Sequence, residues 1–187
     1  MRILTAGPAL WIKSGYGIQL LELATRLQAA GHDVTHFAFA GMTGGSSFSY
    51  KGIPHLPGDR SSHGQSLIHA YIPLVQPDFV LSLCDVWALS EYGEPHFRLA
   101  TWTPIDHETC PRQTRDVLKA QVTWPIAMSN HGAQAMTDAG VKVAATIPHG
   151  YSGYCYVDKT AGQLWRQGYH IPDASRVFGC VSLNSWW

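Results

Sequence analysis

Five short polar or glycine-rich clusters stand out in this chain because each one follows an apolar run. They are Ser14-Gly15-Tyr16-Gly17, Asp85-Val86-Trp87, Asp106-His107-Glu108, Ser129-Asn130-His131 and His149-Gly150. A histidine beside a carboxylate, as in Asp106-His107, can act as an acid, a base or a hydrogen-bonding group toward a transition state. Gly15 and Gly17 flank Tyr16 at the start of a helical pattern, where backbone can approach a ligand closely and free N–H groups favour an anion. Asp85 at a strand end can orient a ligand hydroxyl, and His149 before Gly150 can meet a ligand. Each cluster also has a plain structural reading, as a tight turn or a helix cap with Ser14 or Asp85 as the capping residue.

Several chemistries lack their motif. The glycine run is not the dinucleotide fingerprint, because Leu20 stands at the third glycine position and no Asp or Glu lies near the end of the second strand pattern. No G-x-S-x-G, P-loop or H-E-x-x-H spacing occurs, so hydrolase, NTPase and metalloprotease readings find no support and no metal is expected. Cys84, Cys110, Cys155 and Cys180 are far apart with no C-x-x-C pair, which excludes zinc and redox motifs and fits a reducing, cytoplasmic setting. Trp11, Trp87, Trp102 and Trp124 read as core or pocket wall, with sugar stacking open for Trp11 and Trp87.

The clusters need elements to hold them. Residues 2–6, 33–40, 77–84, 97–105, 124–128 and 143–148 read as apolar strands, with a further short strand near Ile53–Leu56. Residues 18–30 place apolar side chains at helical spacing and stop at Gly31. Further helices are expected at 64–76, where Pro73 should kink or end the helix, at about 130–139 and at 158–168. Strands alternating with helices, and apolar along their whole length, imply an α/β, doubly wound, mostly parallel sheet buried on both faces. In such a sheet, ligands bind beyond the carboxyl ends of the strands, so all five clusters should face one edge.

Composition sets the outer bounds. The 187 residues are 45% hydrophobic and 14% charged, which is a globular balance. Thirteen basic and thirteen acidic residues cancel, so no strong general nucleic-acid binding is expected. No apolar run approaches the ~18 residues of a membrane span.

The chain resembles the N-terminal, Rossmann-like domain of GT-B glycosyltransferases of family 4, often called glycosyl transferase group 1. The resemblance is carried by MRILTAGPALWIKSGYGIQLLELATRLQAAGHDV, QPDFVLSLCDVW, TWTPIDHETCP, AMSNHGAQAMTDAGV and TIPHGYS, in that order, and by VFGCVSLN, which is similar to the strand that opens the family's second domain. It implies transfer of a sugar from a nucleotide-sugar donor to an acceptor, with the nucleotide-sugar as co-substrate, no other cofactor and no metal. It implies retention of the donor sugar's configuration. By the same resemblance Gly15, Tyr16 and Gly17 form the donor-phosphate loop and His107, with Asp106, is the catalytic group. Asp85, Ser129, Asn130, His149 and Gly150 line the interdomain cleft. Tyr151-Ser152 departs from the family's pattern of a small apolar residue followed by Asp.

The expected organisation is an acceptor-side domain at 1–156, then a linker and the first strand of a donor-binding domain at 157–187, with the rest of that domain missing. Residues 177–183 read as a buried strand, and an uncovered apolar strand of this kind, with Trp186 and Trp187 beyond it, predicts self-association through 177–187. Two readings of other classes fit the same residues: a non-catalytic sugar- or nucleotide-binding module, and an inactive, truncated remnant.

Overall fold

The computed structural model describes residues 1–59, 65–89, 96–150 and 158–178. The chain divides into two compact units, Met1–Gly150 and Tyr151–Trp187. The first unit runs β1 (Arg2–Pro8), α1 (Gly15–Ala29), β2 (Asp33–Thr43), β3 (Phe48–Tyr50), β4 (Ile53–Gly58) and α2 (Gln65–Val75). It continues with β5 (Phe79–Leu83), a 3-10 turn (Val86–Leu89), β6 (Leu99–Thr103), α3 (Arg112–Gln121), β7 (Trp124–Ala127), α4 (Asn130–Asp138) and β8 (Ala145–Thr146).

The strands form one sheet in the order β3-β4-β2-β1-β5-β6-β7-β8. Every pair is parallel except β3 with β4. The central register places Thr5 beside His36 on one side and beside Leu81 on the other. From β1 the chain winds outward through β2 and β4, then returns past β1 to lay down β5 and proceed the other way. The point of reversal therefore lies between β1 and β5, and the crevice beyond their carboxyl ends is where a doubly wound sheet offers a ligand site.

Helices cover both faces, as the apolar strands require. Leu20 and Ala24 of α1 pack with Val34, Ile53, Leu83 and Trp102 on one face. Ile68 of α2, Leu118 of α3 and Met136 of α4 pack with Leu4, Phe37, Val80 and Leu99 on the other. Helices on opposite faces for opposite winding directions keep each parallel crossover right-handed. Burying an aliphatic side chain of this size stabilises the fold by ~1.5–3 kcal/mol. The sheet is thus pinned on both sides at β1 and β5, the two strands that flank the reversal.

Local boundaries differ in part from those the apolar runs imply. The helix expected at 64–76 is α2, which contains Pro73 in its last turn and ends at Val75. Pro73 costs one N–H to the carbonyl four residues back, and Gln76, at φ 48°, turns the chain immediately afterwards. The strands at 77–84, 97–105 and 143–148 are shorter than the apolar runs that announced them, and β4 is longer. β3 and α3 were not anticipated. Val177 and Phe178 are exposed, at 45% and 90%, and belong to no strand. The remainder of that expected strand, residues 179–183, and the rest of the tail lie outside the described residues, as do Cys155, Cys180 and Tyr151-Ser152.

In the second unit, α5 (Lys159–Gly168) is capped by Asp158, whose carboxylate accepts from the Ala161 amide at 2.8 Å. The Arg166 guanidinium closes the following turn by donating to the carbonyls of Pro172 and Ser175 at 3.2 and 3.0 Å. None of the described helices is long and apolar enough to cross a membrane.

Candidate functional site

The parallel strands bring the polar clusters after β1, β5, β6, β7 and β8 to one edge. At the reversal, Tyr16 in the first turn of α1 meets Asp85 just after β5: the Tyr16 hydroxyl donates to Asp85 Oδ1 at 3.0 Å. Both side chains are half-buried. Burial, and then the Asp85 charge beside it, push the Tyr16 phenol well above its ordinary value, so it stays a hydrogen-bond donor through the physiological range.

The glycine loop is built for close approach. Ser14 caps α1, its hydroxyl accepting from the Gly17 amide at 3.1 Å. A Cβ on Gly17 would run into the carbonyl oxygen of Ile12, so this position needs glycine for packing inside the loop. Gly15 is different: a Cβ there would meet nothing within 4 Å, and the residue is exposed. Its amide belongs to the first turn of a helix, where N–H groups have no intrahelical acceptor and the helix dipole adds about half a positive charge.

Beside this loop is a cavity of about 180 Å³ lined by Asp85, Val86, Trp87, Pro104, Ile105, Asp106, His107, Pro111 and Thr114. Asp106 and His107 form a short pair across the rim, Nδ1 to Oδ1 at 2.7 Å, with both side chains exposed. The His107 carbonyl accepts from His131 Nε2 at 2.8 Å, which ties the loop after β6 to the first turn of α4. Trp87 is 54% exposed. Pro111 and Thr114 come from the start of α3, a wall that no apolar spacing in the sequence announces.

On the β7–β8 side, Ser129 caps α4 by accepting from the Gly132 amide at 3.0 Å, and Asn130 is exposed in the first turn of that helix. The His149 ring stands edge-on to Trp102 at 4.7 Å and to Tyr16 at 6.4 Å. Loss of solvent around it lowers its pKa, which favours the neutral ring. The Gly150 carbonyl accepts from Gln19 of α1 at 2.7 Å. Tyr16, Asp85, Asp106, His107, His149 and Gly150 are thus linked through direct contacts or a shared cavity. Ser129 and Asn130 serve the helix start beside them.

Behind the loop lies a buried histidine pair that the apolar strand patterns concealed. His36 of β2 bonds to Thr5 Oγ1 through Nδ1 and to the Pro8 carbonyl through Nε2, each at 3.0 Å. A carbonyl only accepts, so Nε2 carries the proton and neutral His36 is fully satisfied, with the Thr5 hydroxyl donating to Nδ1. Complete burial, then the neighbouring His55, lower the His36 pKa to about 3. His55 of β4 donates from Nδ1 to the Ile53 carbonyl at 2.8 Å. Its Nε2 is buried without a hydrogen-bond partner among the described residues. Trp11 packs on this pair, 5.3 Å from the His55 ring and 5.2 Å from Phe48. Trp11 is therefore loop packing.

Cys84 is buried beside the site, and burial pushes its thiol up to about 12, so it offers no thiolate. Among the described residues no three His, Cys, Asp or Glu side chains are grouped to hold a metal ion. No protein-family model matches the chain, and no curated protein matches it either.

Proposed function

We propose that Met1–Gly150 forms the acceptor-side half of a glycosyltransferase of the GT-B type, which passes a sugar from a nucleotide-sugar to an acceptor hydroxyl. The observation that carries this reading is the Tyr16–Asp85 hydrogen bond at the sheet reversal. It joins a glycine-opened helix start, suited to phosphates, to a cavity whose lining includes the carboxylates Asp85 and Asp106 and the His107 ring. The resemblance of the successive strand-and-loop motifs to family 4 points the same way.

In this reading the amides at Gly15 and Tyr16 meet the donor diphosphate, and His149 and Gly150 border the nucleotide. Asp85 fixes an acceptor hydroxyl in the cavity. His107, with Nδ1 held by Asp106, presents Nε2 as the nitrogen left to hydrogen-bond the reacting hydroxyl. A GT-B site is completed by groups from a second domain, so donor affinity for this half alone is low, with Kd on the order of 1 mM or weaker.

Gly15 supplies the test. Gly15→Ala adds a methyl group into open space and leaves the protein's own packing untouched. Titration of UDP and GDP by NMR should show binding to the parent that weakens at least several-fold in the variant. Equal binding to both proteins would remove the donor-phosphate role from this loop, and with it the reading.

A further inference from the structure

Two buried imidazoles lie behind the loop that joins β1 to α1, and one of their ring nitrogens has no hydrogen bond among the described residues. The Thr5 hydroxyl occupies His36 Nδ1 and the Pro8 carbonyl occupies Nε2. His55 Nδ1 must carry its proton, because the Ile53 carbonyl that it meets only accepts. A bare lone pair is left on His55 Nε2, so the first proton added to the pair goes there. That proton finds no acceptor. Phe48 lies nearly parallel to the His55 ring, at 17° and 5.6 Å, and Trp11 lies at 33° and 5.3 Å. Their faces attract a cation, but an N–H in the plane of a stacked ring points past both of them. The titratable groups facing His55 are His36 from β2, with ring centroids 5.0 Å apart, and Tyr50 from β3 at 6.0 Å. Lys51 stands over the Tyr50 ring, and Lys13, on the loop itself, is exposed. None of these is a carboxylate.

The loop is held by this pair. His36 holds the Pro8 carbonyl at its start, and Trp11 rests on His55 within a turn closed by the Ile12 amide on the Ala9 carbonyl at 2.9 Å. At its far end the Ile12 carbonyl packs so closely on Gly17 that no Cβ fits there. A displacement of Trp11 is therefore passed to the first turn of α1. We infer that His55 is a proton switch for the loop after β1. Neutral, it seats Trp11 and fixes the start of α1; protonated at Nε2, it takes water in place of Trp11 and frees the turn at residues 9–12. Burial lowers the His55 pKa from 6.5, against the smaller raising effect of the Ile53 carbonyl. An opened loop restores the ordinary value. Between the two values each unit fall in pH favours the opened loop about tenfold, and above the ordinary value pH has no effect. That the start of α1 meets a phosphate rests on the glycosyltransferase reading; the switch does not.

The test is an NMR titration of the ligand-free, isotope-labelled chain from about pH 7.5 to about pH 4.5, reading the histidine ring nitrogens. His55 Nε2 should pass from a bare to a protonated nitrogen with a midpoint below 6.5. The Trp11 indole and the Gly17 amide should move with the same midpoint, while the amides of Leu4 and Val80 in the core stay in place. His55→Phe keeps a ring between Trp11 and Phe48 but takes no proton, and should abolish the Trp11 and Gly17 response. The parent titration decides alone if that variant does not fold. The inference is overturned if His55 stays neutral throughout, or if it is protonated while Trp11 and Gly17 stand still. It is equally overturned if the core amides are lost together with Trp11, or if the response survives in His55→Phe. UDP-glucose, whose diphosphate does not titrate in this range, should bind the parent more weakly below the midpoint. Binding that ignores the midpoint while Trp11 follows His55 supports the switch and counts against phosphate at the start of α1.

Discussion

Tyr16 and Asp85 are 69 residues apart in sequence, yet their side chains share a 3.0 Å hydrogen bond where the sheet reverses direction. The bond draws the start of α1 onto the end of β5 and fixes one carboxylate oxygen at the mouth of the cavity.

That pairing has a spectroscopic consequence. Tyr16 should stay protonated past the pH at which exposed tyrosines ionise, because burial and then the Asp85 charge both raise its pKa. A titration followed by tyrosinate absorbance should show delayed ionisation from Tyr16 and also from Tyr71, which burial raises as well, and only the Tyr16 part should respond to Asp85. In Asp85→Asn, Tyr16 should ionise earlier, though still later than an exposed residue, since burial remains. Tyr16→Phe should lower stability by about 1–2 kcal/mol in chemical denaturation, the scale of a hydrogen bond to a charged group that is deleted in a half-buried place.

The two loop glycines should respond oppositely to alanine. Gly17→Ala drives a methyl group into the Ile12 carbonyl and should destabilise by about 1–3 kcal/mol. Gly15→Ala, in open space at a helix start, should leave stability unchanged or raise it by up to about 1 kcal/mol. Thermal melts of the two variants against the parent check both signs.

His36 predicts acid sensitivity. Its folded pKa lies near 3, below the ordinary 6.5, so between these values the unfolded chain binds a proton that the folded chain refuses. Stability from this residue is therefore complete above about pH 6.5 and falls as pH drops toward 3, by about 1.4 kcal/mol per pH unit. Urea denaturation at pH 7 and pH 5 should show this loss, and His36→Gln should flatten it. The same acidification should loosen the loop after β1, because neutral His36 holds the Pro8 carbonyl and Trp11 packs on the neighbouring His55.

His107 and Ser129 should separate ligand effects from structural ones. His107 is exposed and makes its side-chain pair with Asp106 at the rim, so His107→Ala should melt like the parent. Ser129 caps α4, and Ser129→Ala should cost about 1 kcal/mol. Melting curves for the two variants, run side by side, decide this.

The parallel sheet was legible because its strands announce themselves as apolar runs separated by helical spacing, and parallel strands necessarily gather their carboxyl-end clusters on one edge. α3 was missed because RQTRDVLKAQ buries only Val117 and Leu118, too few apolar positions to show a period. β3 was missed because three residues on a sheet edge carry almost no pattern. The Tyr16–Asp85 bond was hidden for a topological reason: it depends on β5 lying beside β1, which no local spacing encodes. His36 and His55 were hidden because a neutral histidine with its donor satisfied behaves in a strand as an apolar residue does. The Cys84 thiol, by contrast, was readable as buried from its apolar run alone.

In the proposed function the carboxyl edge of this sheet is one site, with phosphate at the start of α1. Amide shift mapping of the labelled chain with UDP-glucose and GDP-mannose tests it most directly. The largest shifts should fall on Gly15, Tyr16 and Gly17, with Asp85, His149 and Gly150 following. Shifts concentrated at the opposite edge, around Arg2, Asp33 and Asp78, or no shifts with either nucleotide-sugar at tens of millimolar, would contradict it.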